Sequence, residues 1–379
     1  MDLNRPFTVK EIGDTSKDLS DAERVKKASK IDSDSLHCPS CGSILRYDPC
    51  CGKLVCEHCG SRRDMPRAVP VMPRVYDEDT EQGFVAWGGV KSIKCGGCGA
   101  TSVLKDYHTS LICPFCGATE VVSIDDVPGL KPNGILPFRI GAKQAHHSFI
   151  KWLRSKIFAP HKVKKEAKHG ELTGIYLPTF AFGAHYKATY EGRIGKHYTV
   201  TVGSGKNRRT EIRTRWFYIS GDFYADYNDV HIEASSYLTQ RDMVNLGGYD
   251  VANAVEYDDD YLAGFVSERY TESLDGSWKE AKEIMDSNAR ASILSRYTYD
   301  CCDYLDVSRT LSDRSYKYVL VPMWSASYKY KDKIYGFAVN GRNGRVKGKF
   351  PVSGFRVFVA ALLGAALIAV LACLMLGVF

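Results

Sequence analysis

Residues 38–60 read CPSCGSILRYDPCCGKLVCEHCG, and residues 95–117 read CGGCGATSVLKDYHTSLICPFCG. In each stretch two Cys-x-x-Cys-Gly knuckles are separated by fourteen residues, and all four cysteines recur at an offset of 57. A knuckle turns two thiolates toward one centre. The stretch between suits a β-hairpin that brings both knuckles around one tetrahedral sulfur site, with Zn–S near ~2.3 Å. The expectation is therefore two structural Zn2+ ions. Cys38, Cys41, Cys56 and Cys59 would hold one, and Cys95, Cys98, Cys113 and Cys116 the other. Iron in a rubredoxin-like site is the competing chemical reading. Four thiolates leave no position open for water, so the metal is expected to build the fold and not to attack a substrate. Cys50 and Cys51 have no counterpart in the second stretch. They read as bystanders or alternative ligands, and the repeat, already supplying four ligands, favours bystanders.

The rest of the composition frames these stretches. Ten of the thirteen cysteines fall between Cys38 and Cys116 in a chain of 379 residues with a net charge of +7. The 44% hydrophobic and 25% charged content excludes a mainly disordered, collagen-like or polytopic membrane protein. The first twenty residues carry no apolar run, so no secretory signal is legible, and reduced thiols in a cytosolic setting suit metal ligation over disulfides.

Residues 357–379, VFVAALLGAALIAVLACLMLGVF, contain no charge. As a helix they would run about 35 Å, against a hydrocarbon core of ~30 Å. Arg342, Arg345, Lys347, Lys349 and Arg356 lie just upstream, which by the positive-inside rule places the preceding residues in the cytoplasm. The expectation is a tail anchor and a single-pass protein of the bacterial cell membrane, in contact with the lipid bilayer. Ala361, Ala365 and Ala369 form a small-residue stripe on which a homo-oligomer could assemble.

Between these ends the chain is aromatic and strand-like. AKQAHHSFIKWLRSKIF (142–158) reads as an amphipathic helix with Ala145, Phe149, Trp152, Leu153 and Ile157 on one face. A second helix is expected from an N-cap at Ser277, with Trp278, Ala281, Ile284, Met285 and Ala289 as its stripe. Leu177-Pro178-Thr179-Phe180-Ala181-Phe182 matches Val321-Pro322-Met323-Trp324-Ser325-Ala326 at an offset of 144, which reads either as two related β units or as two strands that each begin near a proline. Residues 143–215 carry a net charge of +12 and residues 222–303 one of −12. These blocks could neutralise one another, lie on solvated surface, or offer a basic face to phosphates of nucleic acid or lipid.

Catalytic signatures are missing: there is no HExxH, GxxxxGK[ST], GxSxG or GxGxxG in the required context. Gly203-Ser204-Gly205-Lys206 reads as a flexible hairpin, and no nucleophile–base pair stands out, so an enzyme is not expected. A chemistry built on His185, His197 or His231 would require one cleft to gather them.

The order of features resembles the bacterial TFIIB-type zinc ribbon-containing proteins. CPSCGSILRYDPCCGKLVCEHCG, IKCGGCGA with LICPFCGAT, GILPFRI, FIKWLRSKIFAP, LTGIYLPTFAF and the 316–348 stretch ending in VNGRNGRVKG carry that resemblance, from about Leu36 to Gly354. Pro322-Met323-Trp324 in place of Pro-Trp, and the added Cys50-Cys51 pair, depart from the pattern. The family has no established enzymatic activity, and some members resemble membrane-stress components encoded beside SPFH (flotillin-like) and phage-shock-protein-A-like proteins. The resemblance implies a membrane adaptor with such protein partners.

The fold class expected is two small tandem zinc ribbons, a β-rich α+β domain and one C-terminal transmembrane helix. The boundaries are 1–35 disordered, 36–66 ribbon 1, 67–92 linker, 93–122 ribbon 2, 123–354 β-rich domain and 355–379 anchor. The function expected is a cytoplasm-facing, membrane-anchored zinc adaptor or scaffold, with a tethered nucleic-acid-binding ribbon protein as the alternative.

Overall fold

Aromatic and β-branched residues alternate with small and polar ones through 173–202, 209–233 and 301–330, a pattern that suits pleated, half-buried strands. Three very long strands result. In this computed structural model the described residues are 36–77, 91–96, 101–104, 113, 121–124, 130–166, 172–205, 208–235, 238–330 and 333–375. The elements, in chain order, are β1 (Leu45–Asp48), β2 (Lys53–Cys56), β3 (Arg62–Asp64), β4 (Arg74–Val75), β5 (Lys91–Cys95), β6 (Thr101–Leu104), β7 (Val121–Ile124), β8 (Gly134–Ile135), α1 (Ala142–Ser155) and α2 (His161–Glu166). Then come β9 (Thr173–Val202), β10 (Arg209–Glu233), α3 (Gln240–Asn245), β11 (Val255–Glu256), β12 (Val266–Glu268), α4 (Leu274–Leu294), β13 (Cys301–Tyr330), β14 (Lys333–Asn340), β15 (Val346–Gly348) and α5 (Gly354–Met375).

β9 is the spine. It pairs antiparallel with β10 on one side and with β13 on the other, and β12 adds a short parallel pairing at Ile175 and Tyr176. The two motifs related by 144 residues are direct neighbours here: Leu177 stands opposite Val321. A straight strand of 30 residues would reach about 100 Å at ~3.3 Å per residue. The sheet curls instead, and the curl has a local cause. β10 slips register between Tyr227 and Val230, and β13 slips between Ser312 and Ser315, both opposite the Phe182–His185 stretch of β9. Asp229 and Asp313 take left-handed backbone at these bulges, with φ of 56° and 48°. Paired bulges at one level increase twist on both flanks and bend the sheet there.

The concave face closes on α4. Tyr186 donates its hydroxyl to Asp286 at 2.9 Å, Tyr227 donates to the Met285 carbonyl at 2.9 Å, and Trp278 meets the Phe182 ring at 5.4 Å. At the other end Phe138 stacks on Phe265 and meets Tyr176 and Trp324, whose indole N–H donates to the Ile140 carbonyl at 2.8 Å. Each ring so enclosed contributes about 1.5–3 kcal/mol of transfer free energy.

Helix boundaries differ from expectation in instructive ways. α1 buries Ala145, Phe149 and Leu153, but ends at Ser155 and leaves Ile157 76% exposed. α4 starts one turn before Ser277. Ser273 is the N-cap and accepts from the Gly276 amide, while Ser277 lies buried inside the helix. A capping serine with Asp275 in the first turn outweighs the cost of about 1 kcal/mol that Gly276 imposes.

Two larger expectations are corrected. The ribbons are not separate tandem modules beside an α+β domain, because the described residues form a β-rich fold with a curled half-barrel sheet and few helices. The strands β5, β6 and β7 of the second stretch hydrogen-bond into the large sheet, with Ser267 and Glu268 of β12 opposite Val103 and Ser102. The sheet β1–β2–β3 of the first stretch shares its apolar core with the β domain through Leu45, Tyr47 and Leu54.

The transmembrane helix is the other correction. Among the described residues no helix is long and apolar enough to cross a membrane. The C-terminal helix α5 runs from Gly354 to Met375. Its root is tied to the β domain, where Arg356 donates to the carbonyls of Ile157 and Ala159 at 2.7 and 2.8 Å. The transmembrane, tail-anchored and membrane-localised assignments are overturned with it. Of the small-residue stripe, Ala361 and Ala365 are exposed on α5 and the Ala369 side chain lies outside the described residues. The 1–35 segment lies outside them too.

Candidate metal centre

Two backbone knuckles of the same construction build the centre. In the first, the Gly42 amide donates to the Cys38 carbonyl at 2.8 Å and the Cys38 amide to the Ser43 carbonyl at 2.7 Å. In the second, Gly60 donates to Cys56 and Cys56 to Ser61, both at 2.9 Å. Gly42 and Gly60 hold φ of 73° and 75°, a left-handed turn that glycine adopts without strain and that folds each knuckle back on itself. The hairpin β1–β2 then sets the knuckles side by side, with Leu45 paired to Cys56.

The four sulfurs of Cys38, Cys41, Cys56 and Cys59 lie within 4.8 Å of one another, a group that could hold a metal ion. The Cys38–Cys59 and Cys41–Cys56 sulfurs are each 3.5 Å apart. A regular tetrahedron with metal–sulfur bonds of ~2.3 Å has edges of about 3.8 Å, and the sulfur separations, from 3.5 Å to no more than 4.8 Å, bracket that value. Cys38 and Cys56 are buried and Cys41 and Cys59 face solvent.

The thiols compete for charge. Desolvation raises the Cys38 pKa, but the Ser40 and Cys41 amides and contacts with Cys59 and Ser61 outweigh it and hold the thiol at about 6. Cys41 goes the other way, to about 12: the Ser43 amide lowers it, while desolvation and the sulfurs of Cys59, Cys56 and Cys38 raise it. One thiolate therefore suppresses ionisation of its neighbours, and a bound cation is what allows all four to ionise together.

Cys50 and Cys51 sit at the opposite end of the hairpin. The Cys50 amide donates to the Asp48 carboxylate at 2.9 Å and the Cys51 thiol to the same carboxylate at 3.5 Å. Asp48 and Lys53 close the hairpin tip, three residue pairs from Leu45–Cys56, so these thiols lie about 10 Å along the strands from the centre. Of the second set, Cys95 and Cys113 are buried at 3% and 2%, and Cys98 and Cys116 lie outside the described residues.

The ribbon is fixed to the β domain by three kinds of contact. The Tyr47 amide donates to the Ala263 carbonyl at 3.0 Å, Arg63 pairs with Asp260 at 2.8 Å, and the Tyr47 ring meets Tyr261 edge-on at 5.5 Å. Asp260 shows the cost of that burial: desolvation raises its pKa, and Arg63 opposes the rise.

The three strand histidines are not gathered. His185 bonds to Asp226 and lies 3.6 Å from Asp313 at the bulges, while His197 lies twelve residues further along β9, about 40 Å along the strand. His231 is on β10 opposite Ala181. The polar group that sequence reading missed is internal. Glu233 and Glu268 are both buried, Ser235 donates its hydroxyl to Glu268, and Glu233 accepts from the Ser235 amide at 3.1 Å.

No family model matches the chain, and no solved structure matches it. The chain is similar to the uncharacterized protein YdjG of Bacillus subtilis (strain 168), at 27% identity over 328 residues that cover 85% of this chain and 92% of that relative.

Proposed function

We propose that this protein is a zinc-stabilised binding platform, an adaptor that presents a rigid β surface to protein partners and performs no chemistry itself. The observation that carries the reading is the closed four-sulfur set at Cys38, Cys41, Cys56 and Cys59, docked on the β domain by the Tyr47–Ala263 hydrogen bond. A metal with four thiolate ligands has no site for water or substrate, so its part is to hold the ribbon in shape. Zinc is the ion favoured by four thiolates in this geometry. The second set, Cys95, Cys98, Cys113 and Cys116, is proposed to hold a second zinc, and the burial of Cys95 and Cys113 supports it.

The resemblance to the TFIIB-type zinc ribbon proteins supports the same reading and suggests SPFH-type or phage-shock-protein-A-like partners. Crosslinking in cells followed by purification of the full chain tests it. A reproducible protein partner, retained with metal and lost when the four-cysteine set is dismantled, is the expected outcome. Zinc-loaded protein that captures no partner after crosslinking would sink the adaptor reading.

A further inference from the structure

The hairpin of β9 and β10 outruns the sheet. β13 begins at Cys301, paired with Gly195, and beyond that point Lys196–Val202 pairs only with Arg209–Arg215 among the described residues. This leaves a two-stranded arm of seven residue pairs, about 23 Å long at ~3.3 Å per residue. Between Lys196 and Arg215 the sequence carries six Lys or Arg and one Glu, a net charge of +5.

Register gives the arm two unlike faces and gathers its paired charges on one of them. Lys196 is opposite Arg215, Tyr198 opposite Arg213, Val200 opposite Glu211 and Val202 opposite Arg209, all on one face. Their contacts agree with that placement. The Arg215 guanidinium lies 5.4 Å from the Tyr198 ring centre, and Arg209 and Arg213 reach the single Glu211 carboxylate at 2.7 and 3.4 Å. The other face carries His197, Thr199, Thr201, Thr210, Ile212 and Thr214. An exposed ion pair of this kind contributes little, so Glu211 yields its arginines readily to a stronger anion.

We propose that this arm is a nucleic-acid-binding element, laying its cationic face along the phosphate backbone of a duplex. Three observations favour a duplex over a lipid surface. The cations are spaced along a narrow, extended ribbon, and a two-stranded ribbon has the width of a major groove. The opposite face is lined by threonine hydroxyls, which gain nothing from hydrocarbon. Ile212 is the one large aliphatic side chain on that face, too few to anchor the arm among acyl chains. The inference does not depend on the role assigned to the metal.

The test uses the full chain, a labelled duplex of arbitrary sequence, and anisotropy titrations between about 50 and 200 mM salt, the range over which counterion release is steep. The unmodified chain is expected to bind with affinity falling as salt rises. Arg213→Gln with Arg215→Gln is expected to lower affinity roughly ten- to a hundredfold near 0.1 M salt and to reduce the salt slope by about 1.8. Both substitutions are exposed, so metal content and thermal unfolding should be unchanged and report that the variant is folded. Absence of duplex binding by the unmodified chain overturns the proposal, as does binding that the double variant retains in full. Binding to vesicles of mixed phosphatidylglycerol and phosphatidylcholine without duplex binding also overturns it and assigns the arm to lipid.

Discussion

The amide of Tyr47 donates to the carbonyl of Ala263 across 3.0 Å, so a strand of the metal-binding ribbon is hydrogen-bonded to the β domain. Loss of metal should therefore be felt well beyond the four cysteines. Chelation, or Cys56→Ser, is expected to abolish metal at this centre and to expose the Tyr47 and Cys38 amides to hydrogen exchange. The 333–340 amides of β14 should stay protected longer. Protection at Tyr47 that is unaffected by chelation would show that the ribbon holds its fold without an ion.

The hairpin-tip thiols provide the contrast. Cys50→Ser and Cys51→Ser are expected to leave metal content unchanged, because both lie at the Asp48 end and bond to that carboxylate and not to the centre. Elemental analysis of purified variants decides this, and metal loss in either would make that thiol a ligand.

Glu233 and His231 give stability a two-sided pH dependence. Burial, then the nearby Glu268, raises the Glu233 carboxyl well above its ordinary value. The unfolded chain releases this proton near pH 4.5 while the fold retains it, so the contribution of Glu233 declines as pH rises from there toward the folded value. Burial lowers His231 to about 4, so the unfolded chain binds a proton below about 6.5 that the fold refuses, and stability falls on acidification between those values. Glu233→Gln is expected to stabilise the protein at pH 7–8, where the buried carboxyl's contribution has declined. Denaturant titrations across pH would show a flatter alkaline limb. An unchanged limb would mean that Glu233 ionises in the folded protein.

At Gly341 the constraint is space. A Cβ there would sit 2.6 Å from the Phe138 ring, which is itself wedged between Tyr176, Phe265 and Trp324. Gly341→Ala is expected to cost about 1–3 kcal/mol by overpacking. Ser273→Ala should cost about 0.5–2 kcal/mol by removing the cap on α4. Chemical denaturation of the two single variants measures both, and a neutral Gly341→Ala would mean that the aromatic cluster can shift.

The metal centre was legible because ligand spacing is a covalent constraint: Cys38-x-x-Cys41 and Cys56-x-x-Cys59 reach one point whatever surrounds them. Strand and helix limits were less so. Ser277 has the look of a cap, but Ser273 stands one turn earlier with extended backbone and an acidic first turn behind it. The charge blocks also concealed their arrangement. The basic block mixes α1, α2 and the β9–β10 arm, which only the register separates. Arg193 does pair with Asp303 across the two blocks at 2.6 Å, whereas Lys317 pairs with Asp229 and Lys347 with Asp242 from outside the basic one. The bulges left only a faint trace, an aspartate at each left-handed position and Gly183 of β9 facing both, which does not stand out inside a long strand pattern.

Thr173 pairs with Ser325, about 150 positions later, while β9 and β10 close a local hairpin. During synthesis the hairpin can form as soon as residue 233 has left the ribosome, but the partner of its other edge does not yet exist. The same holds for the ribbon, whose dock at Ala263 emerges some two hundred residues after its last cysteine. The nascent protein thus passes through an interval with a long, aromatic strand edge bare, when pairing with a neighbouring chain is the main hazard. Slow translation of residues 234–300 would lengthen that interval, and a holding chaperone is most valuable within it.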